Sequence, residues 1–469
     1  MRKSLMWFMA AGLVGCATEP TFETTDEFLT RNNGFIPNGA QVPNAHGHAT
    51  SIHTAGKIDL SNEFFQNLGI NGRRCISCHL PTAGWGITPE QMQATFDKTD
   101  GGAKNDDFGL GAAFRLNDGA NSPLADVSTL DKRREAYSML LTKGLIRVGI
   151  GMPAGAEFTL VSVDDPYGFA SARELSLFRR PLPTTNLKFI SAVMWDGREV
   201  DRDRPGIHFS LVQQANDATQ GHAEAPTPLT DAQRESIVAF EMGLHSAQTQ
   251  DGAAGSLSTN GATGGPAAII SQVTYIGIND NFGDPVTGAP FTPFVFDLYN
   301  SWQGSTKAAR AQIERGQALF NTRTIHLEGV AGLNTAPLNL PPIDGTCTTC
   351  HNTPNGGNHS TPVPLNIGLA EESERTPDMP LYVLQCNAGP FAGKEYRVTD
   401  PGRALITGKC NDIGKFKGPV LRGLASRAPY FHNGSAASLE DAVDFYDRRF
   451  NMRLTRNEKA DLVAFLATL

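Results

Sequence analysis

The sequence predicts a mainly α-helical protein made of two similar halves, with long loops throughout and an inserted segment in the first half. Three observations predict it. A C-x-x-C-H signature occurs twice, as Cys75-Ile76-Ser77-Cys78-His79 and as Cys347-Thr348-Thr349-Cys350-His351. Downstream of each comes a stretch of one pattern, LTDAQRESIVAFEMGL (229–244) and LTRNEKADLVAFLATL (454–469), identical at six of sixteen positions. The 48 Gly and 29 Pro among 469 residues require much turn and loop.

The two closing stretches read as helices with clean starts. Each opens with a capping box, Thr230 with Gln233 and Thr455 with Glu458. Apolar residues then follow at helical spacing. A helix at 310–320 (RAQIERGQALF) leads towards the second signature, and residues 59–70 (DLSNEFFQNLGI) lead into the first. Two units, each with a signature and a closing helix, read as an internal duplication.

The signature itself selects among three chemistries. Zinc wants two thiol pairs brought together as four ligands, but these pairs lie far apart in the chain. A thioredoxin-like site would not normally occur twice, and no compact βαβ pattern surrounds either copy. Covalent haem fits the spacing: two thiols bond one edge of the porphyrin and the adjacent His reaches the iron. The expectation is therefore two cytochrome c-like domains with two covalently bound haem c groups, on Cys75, Cys78 and His79 and on Cys347, Cys350 and His351.

Export agrees with that chemistry. Arg2 and Lys3 precede an apolar run at 5–14 that is too short to span a bilayer, as in a signal peptide. The run ends in Leu13-Val14-Gly15-Cys16, which resembles a bacterial lipoprotein cleavage box, so Cys16 is the expected lipid-carrying residue. Ala17 rather than Asp after it favours the outer membrane by the same resemblance. The expected location is the periplasm or cell surface, lipid-anchored. Cys386 and Cys410 remain; the readings are a disulfide worth roughly 3 kcal/mol by loop entropy, or two free buried thiols. A net charge of −8 with no dense Lys/Arg run gives nucleic-acid binding nothing to rest on.

The expected organisation is a signal peptide at 1–16, a polar tether at 17–55, a first haem domain at 56–300 and a second at 301–469. The first domain carries the insertion at about 80–180, and 247–268 (AQTQDGAAGSLSTNGATGGPAA) reads as a linker or surface excursion. His46, His48 and His53 read as solvated tether residues rather than a metal site. NDNFGD (279–284) reads as an Asx-rich turn rather than a calcium loop.

Two further stretches carry a family resemblance. LPTTNLKFISAVMWDGRE (182–199), with Asn186 and its Trp-Asp-Gly-Arg, and FKGPVLRGLASRAPYFHNGSAASLEDAVDFY (416–446) resemble the bacterial di-haem cytochrome c peroxidase and MauG superfamily. With the signatures and closing helices, the resemblance covers residues 56–469. It implies that the first haem reacts with peroxide and the second receives electrons from a small redox protein, a cytochrome c or cupredoxin. Trp195 matches the tryptophan between the two haems. Seventeen residues after the Pro of APYFH, where electron-transfer members have Met and MauG-type members have Tyr, stands Tyr446. The alternatives for that iron ligand are Met379 and Met452, and His432 matches a family His near the haems.

The resemblance also marks departures. Peroxidases of this family often carry a loop His that blocks the first iron; no His lies between His79 and His208 here. The site is then open, or blocked by Met152. Gln214 and Glu224 keep the family's ten-residue spacing for the acid–base Glu, with His222 two residues before it as a second candidate. The family's inter-domain calcium uses an Asn that aligns with Arg180, which puts calcium in doubt. The leading expectation is a lipid-anchored peroxidase reducing hydrogen peroxide to water. The alternatives are a MauG-like or rubber-oxygenase-like oxidase of a protein or organic substrate, and a non-enzymatic electron carrier.

Overall fold

The computed structural model describes residues 22–199 and 206–469, so Cys16 and the signal peptide lie outside the described residues. Two hydrophobic cores organise the chain. The first gathers Phe64, Phe65, Ile76, Trp85, Phe96 and Phe240. The second gathers Phe296, Tyr299, Trp302, Ile313, Phe320 and Phe465. Each core packs around a one-turn 3-10 helix that carries the first thiol of a signature, Cys75–Ser77 and Cys347–Thr349.

The closing helices form as read. Asp231–Gly243 and Arg456–Leu466 both have complete capping boxes, with Thr230 accepting from the Gln233 amide and Thr455 from the Glu458 amide. Ile207–His222 packs on the first of them and Ala308–Thr322 on the second. The second pair touches at Gly316, where a Cβ would fall 1.9 Å from the Asp461 carbonyl oxygen, so only glycine permits that approach.

The mainly α expectation is too simple. Among the described residues eleven α-helices stand beside thirteen short strands in five sheets. Several strands come from segments that look featureless in sequence. Gln41–Asn44 and Gly47–His53 form a hairpin that pairs antiparallel with Leu244–Asp251, Ser51 opposite Ser246. Residues 22–55 are therefore folded onto the first unit rather than a tether. The helix Thr25–Arg31 adds buried Phe28 and Leu29 to the first core. Ladder hydrogen bonds supply the order here, which a polar composition conceals. His53 stacks on Phe240 at 5.4 Å, with Nε2 3.1 Å from the Phe240 carbonyl oxygen.

Residues 247–268 are likewise not a linker. The stretch completes that sheet, and its small apolar residues Ala254 and Leu257, both 0% exposed, enter the second core. That core begins at Ala254 rather than at residue 301. NDNFGD is a turn: the Asp284 carboxylate accepts from the amides of Val286 and Thr287, at 2.9 and 2.8 Å, and from the Tyr275 hydroxyl at 2.6 Å.

The insertion binds the halves together. Its helices Pro89–Thr99 and Ser138–Lys143 bury Met92, Phe96, Leu140 and Leu141 in the first core. Its strand Phe158–Asp164 pairs antiparallel with Leu381–Cys386 of the second half, Phe158 opposite Cys386. Cys386 is joined to Cys410 by a disulfide in the apolar cluster beneath that sheet.

Candidate functional site

Each signature opens onto a large cavity. The first, with about 1590 Å³ of open space, is lined by Cys75, Cys78 and His79. The second, with about 1810 Å³, is lined by Cys347, Cys350 and His351. The local geometry of the two turns is the same. His79 Nδ1 lies 3.2 Å from the Trp85 carbonyl oxygen and His351 Nδ1 lies 2.6 Å from that of Gly357, each six residues on. That contact fixes each ring and leaves Nε2 for a metal.

The protonation states suit ligation. Burial pushes both imidazoles down to about 4, so each is neutral near pH 7. Burial pushes Cys75, Cys347 and Cys350 up to about 12. Thiols held that firmly protonated are poor partners for disulfide exchange. Paired thiols, a neutral His and a mainly apolar lining fit haem c at both positions.

The first cavity also holds polar side chains. Gln214, Thr219 and His222 line it from the helix Ile207–His222, and Asp118 lines it from the insertion. His222 Nδ1 lies 2.5 Å from Asp118 Oδ2. Glu224 is not brought to the site. The helix ends at His222, and Glu224, in a left-handed backbone conformation (φ 56°), stands exposed and outside the cavity lining. Met152 packs in the apolar cluster around Leu175 and Tyr382; Met194 is the methionine that lines the first cavity.

Glu241 is a lining residue that the sequence reading missed. It is 4% exposed, Oε2 has no hydrogen-bond partner, and burial pushes the carboxyl up to about 8. The signal was present in the two closing stretches. Aligned without gaps, Glu241 falls opposite Leu466, which lines the second cavity. A carboxylate in an apolar run, on the face shared with Ile237, is costly without a purpose.

The second cavity is aromatic. Tyr446 lines it with Phe320, Phe416, Phe431 and Phe450. The Tyr446 ring centroid is 6.5 Å from that of His351, and burial raises its phenol. Met452 lines the same cavity, whereas Met379 packs with Met139 and Phe178 away from it. His432 lies against Phe416 at 3.9 Å and near Trp195 at 6.2 Å, with both ring nitrogens lacking a protein partner.

One wall serves both cavities. Arg180, Pro181, Leu182, Pro183, Trp195 and Lys417 belong to both linings. Trp195 Nε1 donates to the Arg180 carbonyl oxygen at 2.8 Å, and the Lys417 amide donates to the Trp195 carbonyl oxygen at 2.9 Å. The next residue, Asp196, is fully buried and accepts from Arg179 at 2.6 Å; Arg179 also forks onto Asp400 at 2.7 and 2.9 Å. Burial alone would lower Arg179, but Asp400 and Asp196 outweigh it and raise it. The Trp-Asp-Gly-Arg motif is thus clamped between residues of both halves. Asn186 shapes the approach to it, its amide donating to the Ser246 carbonyl oxygen at 2.8 Å.

Arg180 stands at the position that put calcium in doubt. Its guanidinium donates to the carbonyl oxygens of Ile87, Lys143 and Arg427 at 2.6, 3.1 and 3.0 Å. Gly144, left-handed at φ 60°, leaves it room, since a Cβ there would lie 2.8 Å from Nη1. Among the described residues no group of three or more His, Cys, Asp or Glu converges as a metal site. A cation already bonded to the carbonyls does not fit calcium beside it.

No protein-family model matches the chain. The chain is 31% identical over 188 residues to the cytochrome-c peroxidase IdrP1 of Denitromonas iodatirespirans, covering 36% of this chain and 44% of that protein. It is 38% identical over 99 residues to the cytochrome c551 peroxidase of Nitrosomonas europaea, covering 18% and 30%. The matched region thus spans less than half the length of these curated relatives. Among solved structures, a MauG-like protein associated with microbial copper homeostasis overlaps 64% of this chain and 75% of its own, at 18% identity and a TM-score of 0.33.

Proposed function

We propose, from its partial likeness to curated cytochrome-c peroxidases and from its two signature-bearing cavities, that the chain is a di-haem c-type peroxidase. Hydrogen peroxide, two protons and two electrons become two waters, the electrons coming from a small redox protein such as a cytochrome c or cupredoxin. The observation that carries the reading is the pair of cavities, each with two thiols and a neutral His, meeting at one wall through Trp195.

The residues divide the work. Cys75 and Cys78, and Cys347 and Cys350, would each hold a haem by two thioether bonds, with His79 and His351 on the irons. When bound, the haems supply irons that change oxidation state one electron at a time. Trp195, fixed at both its indole nitrogen and its carbonyl, sets an aromatic ring between the two sites. Gln214 and His222 give the first cavity groups that hold peroxide and move its proton. The aromatic lining of the second keeps water from that site. A lipid on Cys16 would tether the protein at the outer membrane, facing the periplasm or cell surface.

A second reading has its own observation. The Tyr446 phenol lines the second cavity, its ring 6.5 Å from that of His351. A phenolate ligand lowers an iron's potential where Met raises it. That favours a MauG-like or rubber-oxygenase-like oxidase acting on a protein or organic substrate.

Low-temperature EPR of the purified ferric protein, with peroxide consumption against a reduced cytochrome c, tests these readings. One high-spin haem and donor-dependent loss of peroxide are expected. Two low-spin haems that stay low-spin after partial reduction would make the protein an electron carrier. A low-spin signal that moves in Tyr446→Met identifies the phenolate and strengthens the oxidase reading.

A further inference from the structure

The insertion contributes no histidine to the first cavity, yet it reaches that cavity through Asp118. Asp118 Oδ2 and His222 Nδ1 are 2.5 Å apart, and both residues line the cavity with His79. Since Nδ1 is occupied by the carboxylate, Nε2 is the ring nitrogen left to the cavity.

The pair is held from several directions. Arg73, two residues before Cys75, donates to the carbonyl oxygens of Ala112, Ala113 and Asn117 at 3.0, 3.2 and 2.5 Å. Its guanidinium also lies 3.5 Å from the Asp118 carboxylate. Asn117 reaches the other way and donates to the Gly221 carbonyl oxygen at 2.8 Å. The His222 carbonyl oxygen in turn accepts from Asn71 and Arg73 at 2.8 and 3.1 Å. The imidazole is thereby fixed relative to the Cys75 turn by groups from three segments. Asp118 is kept ionised: burial would raise it, but the hydrogen bond with His222 and the charges of His222, Arg73 and Arg147 outweigh that and lower it.

We propose that His222 is the acid–base group of the first cavity and that Asp118, supplied by the insertion, is the residue that positions it. The pair rests on the reading that this cavity holds a haem. His222 Nε2 takes the proton of a neutral H–X that binds as X⁻; the H–X bond breaks with its electron pair left on X. The proton is then returned to the departing oxygen when X is hydroperoxide, and the transfer itself moves no electrons. The carboxylate favours the imidazolium that forms and fixes the tautomer, as an orienting acid does for any catalytic His. Besides the pair itself, the charged and titratable groups of the lining are Arg73, Arg74, Cys75, Cys78, His79, Arg179, Arg180, Arg198, Glu241 and Lys417.

Hydrogen cyanide tests the pair without peroxide or an electron donor, because undissociated HCN must lose its proton to bind iron. The association rate is read by stopped flow on the ferric holoprotein, after haem content and melting temperature are matched. His222→Gln should slow association by about 100-fold or more, the usual worth of a general base. Asp118→Asn should slow it by about tenfold, or 1.4 kcal/mol of barrier. Asp118→Glu, which restores a carboxylate, should recover much of the rate that Asp118→Asn loses. On the unsubstituted protein, association should slow in D₂O, a reading that needs no variant to fold.

Wild-type rates in both variants, or a loss confined to Glu224→Gln, overturn the pair, as does the absence of a solvent isotope effect. A protein that shows the expected cyanide behaviour but leaves peroxide untouched refutes only the peroxidase reading.

Discussion

The two cavities are built on one local plan and differ in what surrounds it. Around Cys75 the lining includes Asp118, Gln214, His222 and Glu241, side chains that carry or bind protons. Around Cys347 the corresponding surface is Phe320, Phe416, Phe431, Tyr446 and Leu466, and no carboxylate is among the described residues that line it. Turn, His contact and capped helix are shared, so the divergence lies in a few positions and in one inserted segment. The first lining sets carboxylates beside its imidazoles; the second sets aromatic rings beside His359 and His432.

The contrast depends on the wall between them, and breaking that wall should give the largest effect. Arg179→Met leaves Asp400 buried without its cation and Asp196 with Arg198 alone. Removing one partner from a buried ion network costs about 3–5 kcal/mol. The holoprotein should melt well below the wild type, and calorimetry checks it.

The next effect belongs to the first cavity alone. Glu241 has a folded-state pKa of about 8 against an ordinary 4.5, because burial disfavours its anion. The folded protein therefore holds this proton more tightly than the unfolded chain does. The contribution is whole below pH 4.5 and is lost as pH rises through 8. The slope is at most about 1.4 kcal/mol per pH unit. Glu241→Gln, neutral throughout, should remove that loss, so its melting temperature should stay level from pH 5 to 8 while that of the wild type falls. The matching change in the second half, Leu466→Gln, should give no such pH dependence.

This pair of residues also shows what the sequence makes legible. The signatures, the capping boxes and the closing helices are local, and their chemistry is written in adjacent residues; all appear in the structure where they were read. Glu241 was visible only by comparing the two closing stretches position by position. The Asp118–His222 contact was not visible, since 104 residues separate the partners and nothing near Asp118 signals a site. The same limit applies to residues 22–55 and 247–268, which are polar or small because strand pairing, rather than a run of large apolar side chains, holds them in place. Glu224 misled for a related reason. Its spacing from Gln214 matches the resemblance, but the helix stops at His222 and turns the later residue outward.

The smallest expected effect concerns the hinge of the comparison, where Ile87 and Lys143 of the first half and Arg427 of the second share the Arg180 guanidinium. Calcium bound at such a place would stabilise the folded protein by mass action, by about 2.7 kcal/mol at a hundred times its dissociation constant. A guanidinium bonded to the same kind of oxygens gains nothing from added calcium and loses nothing to a chelator. The melting temperature and the EPR spectrum should therefore be unchanged between excess calcium and excess EGTA. A calcium-dependent rise in melting temperature would mean that the ion binds elsewhere and that Arg180 is an ordinary buried cation. An unchanged value joined to a fall in Arg180→Ala would mean that one side chain holds the three segments, and with them the wall between the two cavities.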